Sequence, residues 1–464
     1  MNRTFHQAKG ISGEIQPPAS VSALLKATLL SLFAKGETTI ENTPKCGAAE
    51  ELFSFVQRSF GAITRQGGSC IVQGSGGFSD PSLPAAIENI PSAETLELIA
   101  PLFFRKGVRI SGNASSITGR FRNALKKLSA SGFSFEFKEQ DNAFQLEIIP
   151  SSPESLECAI DHPDETMKTI CLFAAMAAAS GQNRIIETTP LPGETEAIAQ
   201  KFGAIITVQK QGASYEESEQ EHEQDHGNEL ERRIRRIQKQ KAAESDEKSM
   251  RIITVREQPV LTAAHFTLTG GAVCAAPFLL AATLCGHSTV TVKGISSGCA
   301  PFIHVLRRMG GRLQTEKHKD SDRFDCQVSS APLAGRRFSG ELMAGIGELF
   351  PFVCVAAAYA TGQTIIRDAD FLRQGPMDLF TGTLKNLRTM GVKTGEIEDG
   401  IVIEGAREYD GAEFDACGHP AIAMAFSVAA IKNQGESTLV NAEAVDQYWP
   451  DFYFQFENLV RNVE

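Results

Sequence analysis

The segment "PPASVSALLK", residues 17–26, sets two hydroxyls, Ser20 and Ser22, where an apolar helical run begins, with the first cation, Lys26, further in. A helix N-terminus offers unpaired backbone N–H groups and the positive end of a dipole, so phosphates and carboxylates are its natural guests. The two hydroxyls can add donors, but Val21 stands where a cation would help. The segment therefore predicts an anion site of weakened charge. Lys168, near the start of another apolar stretch, poses the same choice as Lys26 between holding a ligand and simple solvation.

Other chemistries find little footing. Ten cysteines are scattered from Cys46 to Cys417 with no CxxC pair and no His/Cys cluster at metal-ligand spacing. That pattern predicts buried thiols in a reducing compartment and no metal site. A formal net charge of -11 argues against nucleic acid, which needs a basic face. An anionic ligand would then need a locally basic pocket. The N-terminus lacks the apolar core of a leader, and no unbroken apolar run reaches the roughly 18 residues that span a bilayer. The expectation is a cytoplasmic protein without membrane contact.

One pattern supplies the elements that must position these groups: an Ala/Leu/Phe-rich helical stretch, a glycine, then a short β-branched strand. It occurs as "SALLKATLLSLFAKGETTIEN", "ETLELIAPLFFRKGVRISGN" and "TMKTICLFAAMAAASGQNRIIET", then as "AAPFLLAATLCGHSTVTVKGI", "LFPFVCVAAAYATGQTIIRDA" and "AIAMAFSVAAIKNQGESTLVNA". Gly36, Gly107, Gly181, Gly286, Gly362 and Gly435 each suit the residue after a helix. After most of these strands an amphipathic helix leads through a second glycine into further strands, as in "HVLRRMGGRLQTE". The first helix type is apolar nearly all round and should be buried; the second has one polar face and should lie outside. Six units in two sets of three predict an α/β protein of two similar domains with helices enclosed by sheets.

Residues 209–251 break the pattern. They are dense in Glu, Gln, Lys and Arg, begin acidic and turn basic, and cannot bury a core. The reading is a charged insertion with a solvated helix around "ELERRIRRIQKQK", a surface excursion that could also hold a protein partner.

These units resemble the enolpyruvyl transferase superfamily, and most closely its 5-enolpyruvylshikimate-3-phosphate (EPSP) synthase family. "ATGQTIIRDADFLR", "DGIVIEG", "IAMAFSVAAI" and "YWPDFYFQFENL" are similar to that family's motifs, and the resemblance covers nearly all of the chain outside the insertion. It implies two domains of three inverse βαβαββ units: 18–208, and 1–17 plus 252–464, separated by the insertion. It also implies a reaction without cofactor or metal, in which phosphoenolpyruvate joins the 5-hydroxyl of shikimate 3-phosphate with loss of phosphate, in a cleft between the domains. Two phosphates and two carboxylates meeting in one closed cleft require several fixed cations.

Matched residue by residue, the sequence lacks most of them. The family's "P-G-S-K-S-x-S-x-R" reads "P-A-S-V-S-A-L-L-K", which keeps Ser20 and Ser22 and ends on Lys26. Its "N-A-G-T-x-x-R" reads "S-A-E-T-L-E-L", which keeps Thr95, adds Glu94 and loses an arginine at Leu98. A further arginine falls on Gly119, where Arg120 or Arg122 could substitute. The "S-S-Q" motif falls on Asp164, Glu165 and Thr166, with Lys168 nearby. "L-R-x-K-E-x-D-R" becomes "L-R-Q-G-P-M-D-L", which leaves Arg373 and Asp378. "D-H-R-I-A-M" becomes "H-P-A-I-A-M", which leaves His419, read as a structural or surface histidine rather than a catalyst, and the terminal lysine becomes Gln447. "G-E-L-F-P" puts Glu348 at the family's candidate base; the alternative is a carboxylate stabilised by a helix start. Two functions follow as expectations: a catalytically impaired or repurposed homologue, binding a small anionic substrate if a ligand is retained, or an active transferase with displaced residues on shikimate 3-phosphate or another acceptor.

Overall fold

The computed structural model describes residues 1–464 except 152, 154, 179–180, 182, 212–249, 257–259, 319–322, 374–377, 407 and 462–464. The helix proposed within the charged insertion lies outside the described residues.

Among the described residues six small sheets form around the repeated units, five of four strands and one of three. In each, a parallel pair is extended by antiparallel strands. The third unit is typical: Glu157–Ile160 runs parallel to Asn183–Glu187, and Met250–Val255 lies antiparallel between that strand and Ile206–Gln211. In this unit the crossover between the parallel strands is the apolar helix Glu165–Ala177, as parallel pairing demands. The helices Val21–Phe33, Glu165–Ala177, Ala272–Leu284, Phe350–Ala358 and Pro420–Lys432 are buried along almost their whole length. The amphipathic helices, such as Gly47–Phe60 and Ala300–Met309, bury one face only. Each fully buried Leu or Phe in such a core contributes about 1.5–3 kcal/mol, so the enclosed helices hold each domain together.

Three strands cross between the halves, the first being Arg3–His6, which pairs antiparallel with Glu436–Val440 in the C-terminal domain. Ser12–Ile15 pairs with Thr289–Ile295, and His265–Thr267 pairs with Glu37–Glu41, so each half lends one strand to the other's first sheet. The hydrophobic cores divide accordingly. One contains residues from Ala19 to Leu268, the other Phe5, Ile11 and Ile15 together with residues from Cys274 onward. This corrects the boundaries expected at 208 and 252: Met250–Val255 and His265–Thr267 belong to the N-terminal domain, and the second crossing falls after Leu268. The two crossings touch where Gly271 N donates to Pro18 O at 2.9 Å. A Cβ on Gly271 would stand 3.2 Å from Ser20 N, so glycine permits that approach.

At the helix-to-strand junctions Gly36 has φ 103°, a left-handed conformation open to glycine. The fourth junction departs from expectation: there His287, at φ 54°, takes the left-handed position rather than Gly286. All ten cysteines are free thiols, and nine are buried. The helical run Glu341–Ala358 has the length and hydropathy of a membrane span, but it is interrupted by Glu348 and 72% of it is buried within the protein, as in a core helix.

Candidate functional site

The helix Val21–Phe33 starts as its sequence suggests, but Ser20, Ser22 and Lys26 each already have a partner within the protein. Ser20 Oγ accepts from Ala23 N at 3.3 Å and caps the helix. Ser22 Oγ donates to Glu94 Oε1 at 2.6 Å. Lys26 points into the protein with its side chain 4% exposed, and its ammonium lies 2.8 Å from Glu165 and 3.0 Å from Glu194. Burial alone would push the Lys26 pKa down, but Glu194 and Glu165 outweigh it and hold it above the ordinary lysine range. Burial would likewise raise Glu165, but Lys26 and Lys168 draw it below the usual carboxylate value. The pair is ionised on both sides.

The same arrangement recurs at the neighbouring helix starts. Arg120 Nη2 binds Glu97 Oε2 at 2.8 Å, and its Nη1 lies 3.8 Å from Asp164. Glu97 is fully buried and also accepts from Thr118. Arg122 turns outward to Glu139 at 2.6 Å, so of the two arginines considered as a clamp only Arg120 faces inward. Glu94 sits in the first turn of Ala93–Ile99, where the dipole favours an anion. Burial nevertheless pushes its pKa up, with Ser22 and Lys26 opposing. Thr95 is buried in that turn, its N–H donating to Ser92 Oγ at 3.1 Å.

Lys168 lies deeper than a cleft ligand would. It is fully buried, 3.2 Å from Glu196 and 3.7 Å from Glu187, and also donates to Pro192 O. Arg251 completes this cluster, binding Glu187 and, at 3.1 Å, Glu196. Sequence reading placed Arg251 in the insertion and did not single out Glu187, Glu194, Glu196 or Glu97. A repeated glutamate near the ends of the third unit's elements was the only signal, and nothing in it named a partner.

In the C-terminal domain, Glu348 occupies the single turn Gly347–Leu349 ahead of the Phe350–Ala358 helix. Tyr448 Oη donates to both its oxygens, at 3.1 and 3.3 Å. Glu348 keeps contact with solvent, yet desolvation by the protein packed around it pushes its pKa up to about 7, with Tyr448 opposing and Glu94 and Glu165 adding repulsion from the other domain. The helix start expected for Glu348 is present, while desolvation and the two carboxylates of the other domain act on its charge in the opposite sense. Tyr448 had not been recognised from the sequence.

The remaining C-terminal candidates are committed to local structure. Arg373 lies 3.7 Å over the Phe380 ring and binds Glu396 at 2.8 Å. Asp378 caps the helix Leu379–Thr389, accepting from Thr381 N at 2.8 Å. These contacts do not bring either residue to Lys26 or Glu348. His419 caps Pro420–Lys432, its Nδ1 accepting from Ala421 N at 3.1 Å, and burial pushes its pKa down to about 4. Gln447 Nε2 donates to Gly418 O at 3.2 Å beside that helix start. Beside Glu194, a recess between Lys201, Phe266 and Ser296–Gly298 encloses about 50 Å³, room for a water or two.

A family model described as EPSP synthase (3-phosphoshikimate 1-carboxyvinyltransferase) matches residues 5–229 and 228–456. The chain belongs to the EPSP synthase family. The 3-phosphoshikimate 1-carboxyvinyltransferase of Solibacter usitatus is 25% identical over 469 residues, covering 99% of this chain and 100% of its relative. That of Thermodesulfovibrio yellowstonii is 26% identical over 475 residues, with 99% and 100% covered. Among solved structures, EPSP synthase from Acinetobacter baumannii matches with a TM-score of 0.77 at 19% identity, covering 99% of this chain and 98% of the other. The enolpyruvyl transferase NikO from Streptomyces tendae matches at 0.67 and 15%, covering 99% and 96%. The EPSP synthase fold is therefore present.

Proposed function

We propose that this member of the EPSP synthase family has lost the family's transfer of enolpyruvyl to shikimate 3-phosphate and that its cleft is repurposed for a less anionic ligand. One observation carries the reading: Lys26, the cation nearest the opening helix mouth, is bound by both Glu165 and Glu194. A phosphate would have to displace two carboxylates from a buried ammonium and leave their charges beside its own. Glu94 on Ser22 and Glu97 on Arg120 repeat the obstacle. Each missing charge-assisted contact is worth about 1.5–3 kcal/mol, and losing one preorganised donor can cost about a hundredfold in rate.

A second reading rests on Glu348. Its pKa near 7 suits a general acid or base at neutral pH, so it supports an active transferase on another acceptor. Calorimetric titration with shikimate 3-phosphate, then phosphoenolpyruvate, followed by a phosphate-release assay, separates the readings. Absence of heat and of release is expected. Saturable binding with release would overturn the proposal and direct mutagenesis to Glu348, Lys26 and Arg120.

A further inference from the structure

The C-terminal domain carries a group of arginines that the cleft does not use. Arg307 and Arg308 end the helix Ala300–Met309, Arg312 opens the strand Arg312–Lys317, and Arg336 and Arg337 lead into Arg337–Phe338. The backbone brings the two segments together, with Ala334 N donating to Met309 O at 2.8 Å. Arg336 Nε donates to Arg308 O at 3.1 Å, and Arg308 Nη2 donates to Arg337 O at 3.3 Å. Arg307 donates to Leu313 O at 3.2 and 3.1 Å and to the Thr315 hydroxyl at 3.1 Å. All five arginines are exposed.

None of the five pairs with a carboxylate among the described residues, although the chain has 56 acidic residues against 45 basic ones. Elsewhere on the surface Arg3, Arg65, Arg122 and Arg367 each hold an acidic partner. The helix C-terminus accounts for Arg307 and Arg308 through its dipole, but not for the other three. Like charges held together repel, and backbone hydrogen bonds keep three of these side chains from spreading apart.

We propose that this face docks an acidic segment of a partner protein. Guanidinium groups present planar forks that match carboxylates, and side chains already held by carbonyls lose less freedom on binding. Nucleic acid fits less well. Single strands bind where aromatic rings are open for stacking, whereas Phe338 is 1% exposed beneath Arg308. A membrane surface also fits less well, since interfacial binding needs exposed apolar side chains. The large exposed ones, including Ile205, Val260 and Phe454, lie on other segments. The inference stands independently of what the cleft binds.

Arg312 and Arg337 make no side-chain hydrogen bond among the described contacts, so their replacement tests charge rather than folding. The full chain is titrated against a fluorescent poly-glutamate peptide of about 20 residues, which spans about 66 Å when extended. Expected is saturable binding that weakens about tenfold as salt rises and the screening length shortens. Arg312→Gln with Arg337→Gln should weaken it about tenfold more, and Arg312→Lys with Arg337→Lys less than that. Arg58→Gln, at an arginine outside the patch, should leave it unchanged. No binding, equal loss with Arg58→Gln, or tighter binding to single-stranded RNA or phosphatidylserine vesicles would overturn the proposal.

Discussion

The Lys26 ammonium and Glu165 Oε1 lie 2.8 Å apart, although 139 residues separate them in the chain. Lys26 comes from the second turn of one buried helix and Glu165 from the first turn of another. Two helix mouths of the N-terminal domain thus converge, and the charge that a bound anion would supply is supplied by the protein. A buried ion pair of this kind contributes modestly to stability when intact, but removal of one member exposes the full desolvation cost of the other.

Glu165→Gln combined with Glu194→Gln leaves Lys26 buried without a counter-charge. The expected loss is about 3 kcal/mol, the low end for a broken buried pair because both carboxylates keep some solvent contact. The same variant has an open anion site, so phosphate should raise its melting temperature. At ten times the dissociation constant the recovery is about 1.4 kcal/mol. Thermal melts of parent and variant with and without phosphate check this, and an equal response in both would contradict the idea that carboxylates occupy the site.

Glu348 should make stability fall as pH rises through neutrality. Its folded pKa of about 7 lies above the ordinary 4.5, so between those values the folded state holds the proton more tightly. Any stability gained from the protonated form is complete below about 4.5 and is lost as pH rises through about 7. Glu348→Gln should therefore raise the melting temperature more at alkaline than at acidic pH. Tyr448→Phe removes a hydrogen bond that favours the carboxylate, so it should move the Glu348 titration upward, as carboxyl NMR would show. A titration at the ordinary value in the parent would remove the basis for any acid or base role.

His419 gives the opposite slope. Its folded pKa of about 4 lies below the ordinary 6.5, so the unfolded state binds the proton more readily between them. Stability is lost as pH falls through that window. His419→Asn retains a capping acceptor and removes the titration, so its stability should vary less over this range. His419→Ala should cost about 1 kcal/mol at neutral pH through loss of the cap. Urea denaturation across this range measures both effects, and identical slopes in parent and His419→Asn would exclude the buried imidazole as their source.

The six units were legible because a buried helix, a left-handed turn and a strand each leave a local mark on sequence. The boundary near 252 was misplaced because Met250–Val255 carries the same apolar pattern whichever sheet receives it. The exchange of His265–Thr267 into the N-terminal domain leaves no local mark either. At the site, the missing cations could be read as substitutions at Val21 and Leu98. Their replacement partners could not, since Glu194 meets Lys26 across 168 residues and Tyr448 meets Glu348 across 100. A glutamate on a helix start looks the same whether it faces water or neutralises a lysine.

The deep cluster of Lys168, Glu187, Glu196 and Arg251 supplies the last prediction. Glu187 and Glu196 are nearly inaccessible, and Glu187 Oε1 and Glu196 Oε2 lack a well-formed hydrogen bond, so the two cations are their principal compensation. Burial pushes the Glu187 pKa up, with Arg251 and Lys168 opposing. Arg251→Ala should cost about 3–5 kcal/mol by leaving a carboxylate uncompensated in the interior. Adding Glu187→Gln should recover part of that loss, because the charge requiring compensation is gone. A double-mutant cycle in urea measures the coupling, expected at about 0.5–3 kcal/mol for groups in one network. Additive effects would mean that Arg251 acts by packing alone, and the cluster would then be two separate pairs.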